Sequence, residues 1–218
     1  MHALPTRLLA LTAFILGIVA SPVSHHPDWS KVFIKLLPTS GFGSGCPPPD
    51  SVNPTLGPNG AWLNLAFYKY FAEVYPGSKP SENYKNCQLQ FEVHFPPGWS
   101  LTLFKTTFTG RFTLDEGVNA TQEATYHFGG NPQATATFIC DGDSMGPWTG
   151  PRKGRYSCLD ELLVGKYIWS SCKGTFETLF IETSIELDNS DNKGGSGFIN
   201  TESSETATQQ FELLWKPC

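Results

Sequence analysis

The chain has 218 residues, with 15 Lys and Arg against 20 Asp and Glu, a formal net charge of −5 and no long basic run. Affinity for phosphate backbones depends on clustered Lys and Arg, so nucleic acid is excluded as the expected partner. The length suffices for one well-buried core of the size of a single β-sandwich.

At the N-terminus Arg7 precedes an apolar run from Leu8 to Ala20, broken only by Thr12 and Gly17 and ending at small residues before Pro22. That is the layout of a secretory signal peptide, and the run falls short of the roughly 20 apolar residues that span a bilayer. Residues 1–20 are assigned to the leader, with cleavage after Ala20 or Ser21. Residues 21–40 are read as a segment leading into the fold, and 41–218 as one β-sandwich domain. Leu214 to Cys218 lacks the hydrophobic tail that glycolipid anchoring removes. A secreted, extracellular monomer without a membrane anchor is expected.

Further along, Gln88 to Phe95 alternates: Leu89, Phe91, Val93 and Phe95 on one face, Gln88, Gln90, Glu92 and His94 on the other. This predicts a half-buried strand, stopped by Pro96-Pro97-Gly98. Trp99 to Phe104 and Thr107 to Leu114 continue the β-branched and aromatic composition, so a meander of antiparallel strands is expected. More strands are predicted at Ala124 to Phe128, Ala134 to Cys140, Thr175 to Leu187 and Gln209 to Trp215. The polar run Asp188 to Gly197 is read as the turn of a hairpin joining the last two. Helix signals are weak: Trp62 to Val74 suits helix and strand about equally, and Leu159 to Val164 allows a short helical turn. The fold class is all-β, an antiparallel sandwich stapled by disulfides, with little helix.

All six cysteines, Cys46, Cys87, Cys140, Cys158, Cys172 and Cys218, follow the leader, and an even number in an exported chain is expected to pair. Their spacing lacks the C-x-x-C steps of a zinc knuckle. Cys140 and Cys158 close a Gly- and Pro-rich loop and form the expected local pair; the other four allow three connectivities.

Several landmarks together resemble a secreted, mainly fungal family, domain of unknown function 4360. They are Gly45-Cys46-Pro47, Asn86-Cys87-Gln88-Leu89, His94-Phe95-Pro96-Pro97-Gly98-Trp99, Leu114-Asp115-Glu116-Gly117-Val118 with Ala120-Thr121 and Thr125-Tyr126, Trp169-Ser170-Ser171-Cys172 and Trp215-Lys216-Pro217-Cys218. The resemblance implies a secreted, cysteine-bearing β fold and no activity. Gly110-Arg111 departs from the family's Arg-Gly step, which implies a different loop there. Cys140 and Cys158 are additional to the family's four cysteines, which supports their pairing with each other.

No catalytic residue, metal ligand or cofactor is assigned from sequence. Gly41-Phe42-Gly43-Ser44-Gly45 lacks the spacing of a nucleophile elbow and of a phosphate loop. His94 and His127 read as surface or packed imidazoles, and a copper site would need an N-terminal His25 or His26. Asp115-Glu116 reads as a turn, Asp160-Glu161 as the solvated start of a helix, and Asp141 to Gly146 lacks the ligands of a calcium loop. Asn119-Ala120-Thr121 is the one N-glycosylation acceptor, which makes Asn119 an expected surface position. Trp148, with Arg152, Lys153 and Arg155, is the candidate ligand-binding loop, its indole offering a stacking face. The expected function is non-enzymatic binding at a cell surface or wall, or toward a host, with polysaccharide or an extracellular protein as partner. The alternative is a secreted hydrolase or copper-dependent oxidase acting on polysaccharide.

Overall fold

The computed structural model describes residues 26–38, 41–140, 148–201 and 208–218. The leader, His25 and the calcium-like run at 141–146 lie outside the described residues. In chain order the strands are β1 (Phe33–Leu36), β2 (Val52–Leu56), β3 (Trp62–Phe67), β4 (Phe71–Val74), β5 (Tyr84–His94), β6 (Trp99–Leu114), β7 (Asn119–Phe128), β8 (Ala136–Cys140), β9 (Trp148–Thr149), β10 (Arg152–Glu161), β11 (Phe176–Asp188), β12 (Gly197–Asn200) and β13 (Thr208–Pro217). They form two antiparallel sheets. One runs β1-β5-β11-β7-β8, with β9 on the start of β7; the other runs β2-β3-β13-β6-β12-β4, with β10 also on β6. The helical elements are short, the α-helical turn being Pro80–Asn83.

The period-two pattern decides which face of each strand is inside. In β5, Cys87, Leu89, Phe91 and Val93 are buried; in β11, Leu179, Ile181, Ile185 and Leu187; in β6, Phe108, Phe112 and Leu114. These side chains, with Phe67, Tyr126, Phe128, Phe138 and Phe211, make one core between the sheets. Each fully buried large apolar side chain contributes about 1.5–3 kcal/mol, which is why the alternation fixes the register.

Alternation does not say which strand is the neighbour, and here the sequence-based topology needs correction. β5, β6 and β7 are consecutive, yet β5 and β7 belong to one sheet and β6 to the other, so they do not form a meander. The run 188–197 is likewise no hairpin turn: it carries the chain from β11 across to β12 in the opposite sheet. Leu159 and Glu161 extend β10 instead of starting a helix, because β10 pairs with Lys105–Leu114 of β6 over its whole length. β1 lies in the 21–40 segment and is a sheet member, pairing with β5 from Phe33↔His94 to Leu36↔Phe91. Four residues are too few to show a period.

β6 is the organising strand. Lys105–Phe108 pairs with both β10 and β13, and Arg111–Leu114 with both β10 and β12. Therefore β12 and β13 share one edge of β6, and β10 takes the other. Gly110 sits inside β6, opposite Tyr156, and marks no loop. A Cβ there would fall well inside van der Waals contact of the Asn200 carbonyl oxygen and 2.5 Å from the Tyr156 hydroxyl.

Polar groups inside the sandwich bond across it. Tyr156 Oη donates to Gln122 Oε1 (2.8 Å), and Gln122 Nε2 donates to Thr201 Oγ1 (2.9 Å). Burial holds the Tyr156 hydroxyl protonated, far above the ordinary phenol range. Gln209 Nε2 donates to Thr183 Oγ1 (2.6 Å), which donates to the Glu123 carbonyl (2.8 Å). Such buried bonds fix one arrangement, since leaving either partner unsatisfied is costly. Three disulfides complete the frame: Cys46–Cys87, Cys140–Cys158 and Cys172–Cys218. Cys140 of β8 and Cys158 of β10 join edge strands of opposite sheets.

Candidate functional site

The same period that buries one face of β5, β11 and β7 aligns their alternate residues on the outer face of the six-stranded sheet. Pairing makes rows there. Gln90, Phe180 and His127 form one row, and Gln88, Glu182 and Thr125 the next. Together they line a groove of about 350 Å³, rimmed by Pro132 and Thr135 from the connection between β7 and β8.

The Phe180 and His127 rings stack at 4.6 Å and 6°. Burial lowers the His127 imidazole below its ordinary value of 6.5, so the ring is neutral at neutral pH. Beside this stack, Gln88 Nε2 donates to Glu182 Oε1 (3.2 Å), orienting a carboxylate whose remaining lone pairs can accept from hydroxyls. Two carboxamides, a carboxylate and a threonine hydroxyl around an aromatic floor can take up a hydroxyl-rich ligand with an apolar face.

Along the same face, His94 lies between Phe33 (4.2 Å, stacked) and Phe176 (5.6 Å, tilted). Phe33 and Phe176 are each 51% exposed, so this is a second aromatic platform, two rows from the groove on β5 and β11. Between them Glu92 contacts the His94 ring and aligns with Thr178 and Lys35.

The residues singled out from sequence are distributed differently. Trp148 presents no stacking face: it is 4% exposed and packs against Phe112 (5.5 Å) and Tyr156 (4.6 Å). The pairing of β9 with the start of β7 turns its indole into the core. Arg152, Lys153 and Arg155 are exposed, on β10 rather than in a loop, and belong to the other sheet. Asn119 opens β7, half-buried; its Oδ1 accepts from Thr149 Oγ1 (2.8 Å) and its Nδ2 lies 3.5 Å from Asp191 Oδ2.

Three acidic residues, Asp115 read as a turn, Asp160 read as the start of a helix, and Glu177 within a predicted strand, hold the frame. Asp115 Oδ2 accepts from Ser196 N (2.8 Å), and Asp160 Oδ2 accepts from Ile139 N (2.8 Å), tying β10 to β8. Glu177, 7% exposed, accepts from the backbone N–H groups of Gly130 and Ser171, both at 3.1 Å. Among the described residues no group of three or more His, Cys, Asp or Glu is placed to hold a metal ion, and no helix is long and apolar enough to cross a membrane.

Sequence reasoning placed Gln88 and Gln90 on a polar face but missed Phe180 and Glu182. The available signal was Phe180 itself: in Thr175 to Leu187 it falls on the polar register, where a large ring has no packing role.

A family model described as "Domain of unknown function (DUF4360)" matches residues 33–218. An "Uncharacterized secreted protein" of Arthroderma benhamiae is 30% identical over 193 residues, covering 88% of this chain and 74% of the relative. Among solved structures, TmCBM61 in complex with beta-1,4-galactotriose overlaps 88% of this chain and 92% of its own, at 11% identity and a TM-score of 0.24. A TM-score that low carries no inference about topology or ligand.

Proposed function

The chain belongs to the DUF4360 family, and from that premise we propose that it is a secreted protein that binds a neutral polysaccharide chain, without cleaving it, along the outer face of the six-stranded sheet. The observation that carries this reading is the Phe180–His127 stack set among Gln88, Gln90 and Glu182 in one groove. Sugar rings offer an apolar C–H face and a hydroxyl rim, and the groove offers an aromatic floor with amide and carboxylate walls. Charge selects for a neutral chain. Glu92, Glu123, Glu182 and Glu186 occupy outward positions of β5, β7 and β11, so a polyanion would meet like charge.

Support for export comes from the leader-like N-terminus, the three disulfides and a relative described as secreted. The partner expected from sequence is kept, and its site moves from the Trp148 loop to the sheet face.

The test is calorimetric titration of the purified mature protein with soluble β-glucan, mannan, galactan and xylan oligomers, beside Phe180→Ala and Glu182→Gln. One neutral glycan is expected to bind, and Phe180→Ala to weaken it about tenfold or more, equivalent to about 1.4 kcal/mol. Equal affinity in Phe180→Ala, or no binding by any neutral glycan, overturns the groove assignment. Release of reducing ends from any of them makes the groove catalytic and overturns the binding-only reading.

A further inference from the structure

The opposite face of the sandwich carries a groove of different chemistry. It has a volume of about 370 Å³, and Arg111, Thr113, Lys153, Arg155 and Phe198 line it. Arg155 and Arg111 are direct partners in the β10–β6 ladder, and Lys153 lies one row on, opposite Thr113. Directly opposed residues of an antiparallel pair have Cβ atoms about 4.5–5.5 Å apart, and like charges there repel. Three cationic side chains stand within two rows and concentrate positive charge on this face, which favours an anion lying over them.

The other side of the groove is aromatic. Phe198 is the partner of Thr113 on the far edge of β6, and it stacks with Phe71 of β4 at 6.0 Å and 28°. Phe71 is 38% exposed. Glu73, the partner of Phe198 in β4, closes the patch with a carboxylate on the side away from the cations.

We propose that this face is a second binding site, for a carboxylate-bearing polysaccharide of the uronic acid class. The two arginines and Lys153 would take the sugar carboxylates, and Phe198 with Phe71 the apolar ring face. The aromatic pair is what favours a uronate over a phosphate, because a phosphate group has no apolar face to seat. A patch only two rows long fits a few saccharide units and not the extended cationic track that a nucleic acid needs. The site is independent of the neutral-glycan groove, since the two lie on outer faces of different sheets.

The experiment uses the mature protein and two forms of one polymer, de-esterified and fully methyl-esterified homogalacturonan, with Arg111→Gln/Arg155→Gln, Lys153→Gln and Phe180→Ala as variants. The esterified form keeps the chain and removes the charge. Binding is expected for the de-esterified form alone, to weaken with added salt, and to fall about tenfold or more in the double arginine variant. Lys153→Gln should weaken it in the same direction, while Phe180→Ala leaves it unchanged. Equal binding of both polymer forms, or full affinity in both cation variants, overturns the proposal. Stronger competition by a phosphorylated mannan, by DNA or by anionic vesicles than by galacturonate oligomers overturns the assignment to a uronate.

Discussion

Gly110→Ala is the sharpest test of the way β6 joins the sheets. The added methyl meets a backbone oxygen, that of Asn200, which cannot move without opening the β12–β6 ladder, and the Tyr156 hydroxyl 2.5 Å away. Moving Tyr156 breaks its bond to Gln122, a fully buried amide, at a cost of about 1–3 kcal/mol for the unsatisfied group. Overpacking adds about 1–3 kcal/mol, so about 2–6 kcal/mol is expected in all. For a chain of this size that lowers the thermal midpoint by about 4–24 °C, and at the upper end it removes much of the total stability. Differential scanning calorimetry measures it, with Gly165→Ala as control: a Cβ at Gly165 meets nothing within 4 Å, so that variant should stay within about 0.5 kcal/mol of wild type. If Gly110→Ala melted within about 2 °C of wild type, the close approach of β6, β10 and β12 would be wrong.

Two further outcomes follow from the frame. Replacing Cys172 and Cys218 by Ala opens a loop of 46 residues and should cost about 4 kcal/mol, against about 3 kcal/mol for the 18-residue loop of Cys140 and Cys158. Urea unfolding of both variants checks the values, and a midpoint that reductant leaves unchanged would refute the stapled frame. Asn119, expressed through a eukaryotic secretory route, is expected to carry a glycan, seen as an endoglycosidase-sensitive mass that Asn119→Gln lacks. Wild-type protein without that mass would leave Asn119 a structural role, through its hydrogen bonds with Thr149 and Asp191.

The fold class was legible because burial is written in a local code: Leu89, Phe91 and Val93 alternate with Gln88, Gln90 and Glu92, and the structure buries the first set. The connections were not legible, because the code names the buried face and never the partner. Pro96-Pro97-Gly98 stops β5 equally well whether the next strand pairs beside it or crosses to the other sheet. Trp148 shows the converse error. An indole in a loop-like stretch reads as a recognition residue, but two residues of pairing with β7 suffice to pack it on Tyr156.

Both proposed sites are built from positions that an alternation analysis treats as solvated, and neither is visible within one strand. Phe180 gains its meaning from His127, on β7, and Arg111 from Arg155, on β10. The departures from the pattern were nonetheless present: a phenylalanine in the polar register of β11, and arginines set so that pairing brings them face to face. The first sets a ring among polar groups on the outer face, and the second gathers cations on one ladder of the opposite sheet. They are coherent as two ligand faces on one rigid frame, acidic and aromatic on one side, basic and aromatic on the other. A protein of that form could bridge neutral and anionic chains of a wall. Simultaneous titration decides this: saturation with a neutral oligomer should leave homogalacturonan affinity unchanged, and competition between the two would place both ligands on one face.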